Sequence, residues 1–226
     1  MINQKRKNNR LKTALIFVAI FVGAGVSYIA VATIYSSLQP KPAVATKTTN
    51  SDAPDAAIEA TDETEVPVST IDSYTVAPTM PRFLKIEKLD MKARVQPMGI
   101  NSVGAVQAPV NIYDSGWYTG SARPGTAGAA FIDGHASGST RQGLFAYLDT
   151  LKNGDSVSIE QGDGAVFNYK VVHIETVARD AVDMNKALAV YGGAAEGLNL
   201  MTCTGKWIAD QDTYDKRVIV YTERVS

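Results

Sequence analysis

Residues 198–224 read LNLMTCTGKWIADQDTYDKRVIVYTER, and this stretch decides what kind of fold the chain can have. It opens on a short apolar run, Leu198–Cys203, and closes on Arg217–Arg224, built around Val218, Ile219, Val220 and Tyr221. Gly205 and three aspartates lie between them, so the pair reads as two strands joined by a loop that returns the chain to its neighbour. The same texture extends outward. Further candidate strands are Phe83–Leu89, Ala93–Met98, Gly128–Asp133, Ser156–Glu160 and Phe167–Val177. Sixteen of the 18 glycines fall in residues 80–226, which suits many short strands joined by tight turns in a single domain of ordinary size. Helical signals are short, at Gly143–Leu151 and Asp183–Tyr191, and no internal repeat is visible. The reading is an all-β barrel or sandwich with one or two helical connections.

Upstream the chain changes character twice. Residues 36–79 hold five of the nine prolines, thirteen Ser or Thr, no glycine, seven acids and two lysines. Such a stretch cannot bury enough apolar area to offset its ordering entropy, so a disordered, extended linker is expected, with a coil reach of roughly 35–40 Å. Before it, Thr13–Tyr35 runs 23 residues without a charge, long enough to cross a hydrocarbon core of about 30 Å. Lys5, Arg6, Lys7, Arg10 and Lys12 precede it with no acid among the first twelve residues, which places the N-terminus in the cytoplasm. A cleaved signal is the competing reading, with Ala43-Val44-Ala45 as its small-residue site, but the apolar core is too long for one. The expected order is a cytoplasmic tail at 1–12, a transmembrane signal anchor at 13–35, a linker at 36–79 and an extracellular domain at 80–226.

The net charge of -1 sums a basic tail of +5, a linker of -5 and a domain of -1. No clustered basic surface stands out, so nucleic acid is not an expected partner. The single cysteine, Cys203, rules out an intramolecular disulfide framework and a Cys-rich zinc site. No acidic cluster suggests calcium, and no cofactor or metal is expected.

An unpaired cysteine in an exported domain is either a small buried hydrophobe or a reactive group. Cys203 ends an apolar strand before a Gly-containing loop, a partly exposed place on a rigid support. A nucleophilic thiol needs a partner that takes its proton or stabilises the thiolate. Of the two histidines, His173 lies mid-strand, where packing or surface exposure is the default reading. His135 follows Gly128–Asp133 in the run Asp133-Gly134-His135-Ala136-Ser137-Gly138, at a strand end where its ring can project across a groove. Acyl transfer also needs donors aimed at the developing oxyanion, and Arg217, 14 residues after Cys203, begins the returning strand.

These residues together resemble the sortases, membrane-anchored cysteine transpeptidases of bacterial cell surfaces. The resemblance covers most of Arg82 to Glu223. The family motif Thr-Leu-x-Thr-Cys stands here as Asn199-Leu200-Met201-Thr202-Cys203, with Asn at a position that is structural in the family. Gly134-His135 and the Arg217 strand resemble the family's histidine and arginine motifs, and Gly116-Trp117-Tyr118 resembles a segment upstream of the histidine, with core packing its expected role. The resemblance implies a closed eight-stranded β-barrel. It also implies attack by Cys203 on the Thr-Gly bond of an LPxTG-like sorting signal of an exported protein. His135 would protonate the leaving amine, and an amine from a cell-wall precursor or a pilin lysine would resolve the thioester. Arg217 would orient the substrate and hold the oxyanion, with Thr202 lining the same site. Asp133 could tune His135 from the same side of the strand, and Trp207 would either line the groove or pack on the barrel. The stretch after Cys203 is closer to the sortases grouped as class F or class E than to the pilus enzymes. Two other readings stay open: an exported cysteine hydrolase of peptides or peptidoglycan using Cys203 and His135, and a non-enzymatic tethered surface domain.

Overall fold

Period-two burial organises the domain. In the computed structural model, which describes residues 61–102 and 104–225, eight strands close into a barrel. They are β1 (Pro81–Ile86), β2 (Met91–Met98), β3 (Ser115–Tyr118), β4 (Gly128–Gly134), β5 (Ser156–Gln161), β6 (Val166–Ala178), β7 (Glu196–Ile208) and β8 (Thr213–Val225). The order around the barrel is β1-β2-β3-β4-β7-β8-β6-β5, and β5 pairs with β1 to close it, so no edge is left unpaired. Two pairings are parallel, β2 with β3 and β4 with β7. The expected tail, signal anchor and first part of the linker lie outside the described residues.

Alternate residues of each strand point inward: Leu84 and Ile86, Ala130 and Ile132, Val157 and Ile159, Tyr169 and Val171, Leu198 and Leu200, Val218 and Val220. Trp117 joins them from β3, as expected for its segment, and its Nε1 donates to the Ala122 carbonyl at 3.1 Å. The strands β4, β7 and β8 are also covered outside. Phe131, Met201, Ile219 and Tyr221 form a second cluster, against which the connection after β6 packs Val182, Met184, Ala187, Leu188 and Tyr191. Burial on both faces is why these strands read in sequence as continuous apolar runs. His173 stacks on Tyr191 with ring centroids 4.6 Å apart, a packing role.

Several expectations need correction. Strand β3 was absent from the candidate strands, since it has only four residues and begins Ser-Gly. The first strand ends at Ile86, because Glu87–Leu89 turns as a 3-10 helix with Asp90 in the left-handed region at φ 47°. Of Gly143–Leu151 only Leu148–Thr150 is helical, as a 3-10 turn. The segment gives its backbone donors elsewhere, Phe145 N to the His135 carbonyl and Leu144 N to the Ile112 carbonyl. Its Phe145, Leu148 and Leu151 instead join the inner core. Of Asp183–Tyr191 only Met184–Ala187 is α-helix (α2), capped by the Asp183 carboxylate on the Asn185 and Lys186 amides.

The largest departure is at residues 61–79, placed in the linker from composition. Val68–Ser73 forms a helix (α1), and Asp62 bridges to Asn111 as a short parallel β-bridge. The Tyr74 hydroxyl donates to the Val95 carbonyl at 2.8 Å, and Arg82 Nε donates to the Tyr74 carbonyl at 2.6 Å. Polar bonds to the barrel, not burial of apolar area, order this segment.

Asn199 is fully buried on the outer side of β7, where Nδ2 donates to the Ala187 and Ala189 carbonyls at 2.8 Å each, tying the covering connection to the sheet. Asn199→Ala would leave two carbonyls unpaired at a cost of about 2–3 kcal/mol. The expected result is a melting temperature lowered by roughly 5–10 °C, measured by thermal denaturation.

Candidate active site

Strand pairing brings the three candidate residues into one row. In the parallel ladder Asp133 lies opposite Met201, so the chain leaves β4 at His135 beside the position of Cys203 on β7. In the antiparallel ladder on the other side, Cys203 lies directly opposite Arg217. Alternation puts Cys203 and Arg217 on the outer face with Met201 and Ile219, away from the barrel interior.

Cys203 was expected where its strand gives way to a loop. Strand β7 instead runs on to Ile208, and the ladder with β8 shifts register between Thr204 and Trp207. Gly205, at φ +90°, supports this bulge, and a Cβ there would strike the Asp215 carboxylate, whose Oδ1 accepts from Lys206 N at 2.7 Å. The thiol sits just before the irregularity, half-buried.

A cleft of 570 Å³ opens at this point. One wall is the loop His135–Ser139, and the other is Trp207 with Thr213 and Tyr214 from the β7–β8 hairpin; Cys203 lies between them. The two walls are tied by a 2.7 Å bond between the Ser137 and Tyr214 hydroxyls. Trp207, which could have packed on the barrel or lined the groove, does the latter. It is half exposed and meets Tyr214 edge-on at 5.2 Å.

His135 is held on several sides. Its Nε2 lies 2.7 Å from the Pro109 carbonyl. A carbonyl only accepts, so Nε2 carries the proton and Nδ1 is the nitrogen left for acid–base work. Gly143 passes so close that a Cβ there would come within 2.4 Å of the His135 carbonyl.

Arg217 is bound to its own hairpin, Nη1 donating to the Tyr214 and Lys216 carbonyls at 3.0 and 2.8 Å and Nη2 to Thr213 Oγ1 at 3.1 Å. The Thr213 hydroxyl in turn favours the charged form of the Cys203 sulfur. Sequence reasoning missed Thr213, Tyr214, Ser137 and Pro109, whose roles depend on hairpin register and long-range contact. Thr202 does not line the cleft as expected. It is buried on the inner face, where its hydroxyl donates to the Gly134 carbonyl at 2.7 Å.

Burial pushes the Cys203 thiol above its ordinary range; the Arg217 charge opposes this and the Asp133 carboxylate adds to it. Asp133 is itself pushed up to about 7 by burial, against its bond from the Gly134 amide and the Arg217 charge. Asp133 is thus coupled electrostatically to Arg217 and to Cys203. The set offers a thiol and an imidazole lining one cleft, with a guanidinium bonded to Thr213 of its wall, the groups that acyl transfer uses. Among the described residues no group of three His, Cys, Asp or Glu is placed to hold a metal ion.

Two substitutions should move the thiol in opposite directions. Iodoacetamide labelling of Cys203, followed by mass spectrometry across pH, should shift to higher pH in Arg217→Ala and to lower pH in Asp133→Asn. Stability supplies a second readout. A carboxyl raised to about 7 in the folded state, against an ordinary value of 3.8, binds more protons folded than unfolded. Its contribution is therefore fully present below about pH 4 and lost as pH rises to about 7. Part of Asp133 reaches solvent, so the loss is about 1–2 kcal/mol, and denaturant titration should find it absent in Asp133→Asn.

A family model described as "Sortase domain" matches residues 84–225. Among curated proteins none matches the chain in sequence. Among solved structures, sortase C1 from Streptococcus agalactiae is similar at 22% identity over 71% of this chain and 78% of that one, with a TM-score of 0.50. Sortase C2 of Group B Streptococcus pilus island 1 is similar at 19% identity over 72% and 82%, also at 0.50. A lid mutant of sortase A from Corynebacterium diphtheriae reaches 23% identity over 66% and 71%, at 0.49. The likeness of the two structures at a TM-score of 0.50 speaks for the fold alone, and the family model covers well over half of the chain: it belongs to the sortase family of cysteine transpeptidases.

Proposed function

We propose that the chain cleaves an LPxTG-like sorting signal of exported proteins through a thioester on Cys203 and passes the acyl group to a cell-wall or other surface amine. The observation that carries this reading is the row of His135 just after β4, Cys203 on β7 and Arg217 on β8, with His135 and Cys203 lining an open cleft. The Cys203 thiol gives its proton to His135 Nδ1 as its sulfur adds to the threonine carbonyl carbon of the Thr-Gly bond, forming a C–S bond and an oxyanion. Thr213 and Arg217, already bonded to each other beside the sulfur, supply donors on that side. The oxyanion collapses, the C–N bond breaks, and the glycine amine leaves with the proton from His135 Nδ1. An incoming amine then attacks the thioester, gives its proton back to His135 and releases the thiolate. Trp207 and Tyr214 offer an aromatic wall for the apolar residues of the signal.

The expected signal anchor at 13–35, with its basic cytoplasmic flank, would hold this cleft outside the membrane, where sorting signals and surface amines meet. Class is a finer matter. The residues after Cys203 favour class F or class E, while the solved relatives compared above are of classes A and C at identities that show the fold alone.

Incubation of the full chain in detergent with LPxTG-type peptides and an oligoglycine amine, followed by mass spectrometry, tests the reading. Cleavage at Thr-Gly, an acyl adduct on Cys203 and an amide product are expected. Cys203→Ala should be inactive, and His135→Ala should fall by about 10²–10⁴-fold. Removing the oxyanion donor in Arg217→Ala should cost about 10²–10³-fold. Cleavage that ignores the amine would instead identify a hydrolase. Full activity in Cys203→Ala, or no adduct with any sorting peptide, would sink the proposal.

A further inference from the structure

The segment just ahead of the barrel touches the two parts of the chain that hold His135. On one side, Asp62 N donates to the Val110 carbonyl and Ile112 N donates to the Asp62 carbonyl, both at 2.9 Å. Asn111 Nδ2 donates to Asp62 Oδ2 at 3.0 Å and to the Thr64 carbonyl at 2.9 Å. These bonds fix residues 110–112, directly after Pro109, whose carbonyl receives the His135 ring proton. On the other side, the next residue, Glu63, takes bonds from the Ser139 amide, the Thr140 amide at 3.1 Å and the Thr140 hydroxyl at 2.5 Å. Arg141 adds an ion pair to Glu65 at 2.5 Å. The loop so held is the cleft wall that begins at His135, and Thr61 lines the same cleft.

Two details indicate a built contact. Gly138 is open to the Glu63 carboxylate, which a Cβ there would strike. The Thr140 hydroxyl holds the Glu63 carboxyl below its usual range, as a bond made to the charged form requires. The loop makes a turn of its own, with Gly138 N on the Arg141 carbonyl and Gly143 N on the Ala136 carbonyl. What it lacks from within is a tie at its tip, at Ser139 and Thr140, and Glu63 supplies that tie.

We propose that Glu63 is a positioning residue of the cleft, clamping the 136–142 loop so that His135 keeps its Nε2 on Pro109 and its Nδ1 available. Asp62 and Glu63 are adjacent, so one short strap cross-links the segment that orients the imidazole ring and the loop that carries its backbone. The part of this inference that concerns turnover rests on the function proposed above; the part that concerns His135 does not.

The test compares the full chain in detergent with Glu63→Ala and with Glu63→Gln, which keeps the side-chain size but has one acceptor oxygen. Amide exchange at Ser139 and Thr140 should speed up by about tenfold or more in Glu63→Ala, with β4 and β7 amides unchanged. Nitrogen-15 signals of the His135 ring should move from a single Nε2–H tautomer toward a mixture. Peptide turnover should fall by about tenfold, because small misplacement of a proton-transfer group is costly. Glu63→Gln should fall between the parent and Glu63→Ala in all three. Unchanged His135 ring signals in both variants would overturn the proposal, even with lower turnover, since Glu63 would then act on substrate alone. If the parent shows no peptide activity, the ring signals and amide exchange still decide the question. If Glu63→Ala fails to fold, Glu63→Gln alone decides it.

Discussion

The bond from the Thr202 hydroxyl to the Gly134 carbonyl, 2.7 Å long and buried, is the constraint on which the cleft depends. It joins the last residue of β4 to the fourth residue of the family motif, one position before His135 and one before Cys203. Paired strands lie about 4.8 Å apart, so fixing these two backbones side by side fixes the two functional groups as neighbours. The antiparallel partner then has no freedom left, and Arg217 must face Cys203. A single register therefore sets three side chains, and a slip by one residue would turn Cys203 and Arg217 to the inner face and Thr202 outward.

Electrostatics complete what register begins. Burial works against a thiolate at Cys203, and a carboxylate at Asp133 works against it further, while Arg217 and the Thr213 hydroxyl favour it. A thiol in that balance stays protonated until a group on the cleft accepts its proton. His135 is the imidazole placed there, with one nitrogen committed to Pro109. The arrangement keeps the sulfur protonated at rest yet sets it on the strand beside an acid–base group.

Much of this was legible in the sequence and the rest was not, for physical reasons. Strands β4 to β8 announced themselves because two-sided or alternating burial leaves apolar runs, and the Cys203-to-Arg217 spacing is what a hairpin leaves behind. Strand β3 was hidden because its few residues include a serine and a glycine and its order comes from neighbours. The helix expected over residues 143–151 did not form because Leu144 and Phe145 give their amides to Ile112 and His135, a competition no local propensity reveals. The strap at residues 61–66 looked like linker because composition counts apolar area. Its order comes from carboxylates meeting amides more than 70 residues away, which low hydropathy cannot report.

The substitution of Asn for Thr at the start of the cysteine motif shows how far chemistry and scaffold are separated along one strand. Asn199 lies on the same outer face as Cys203, but two alternations away, in the cluster with Phe131 and Tyr221. Its amide spans two carbonyls of the covering connection, Ala187 and Ala189. It does so with Oδ1 buried and unpaired among the described residues. An unpaired buried oxygen is destabilising, so it persists where the two bonds made by Nδ2 outweigh it. A threonine hydroxyl has one proton to donate and could not hold both carbonyls. The identity of this residue therefore belongs to how the connection after β6 is seated, and the cleft chemistry at Cys203 does not depend on it.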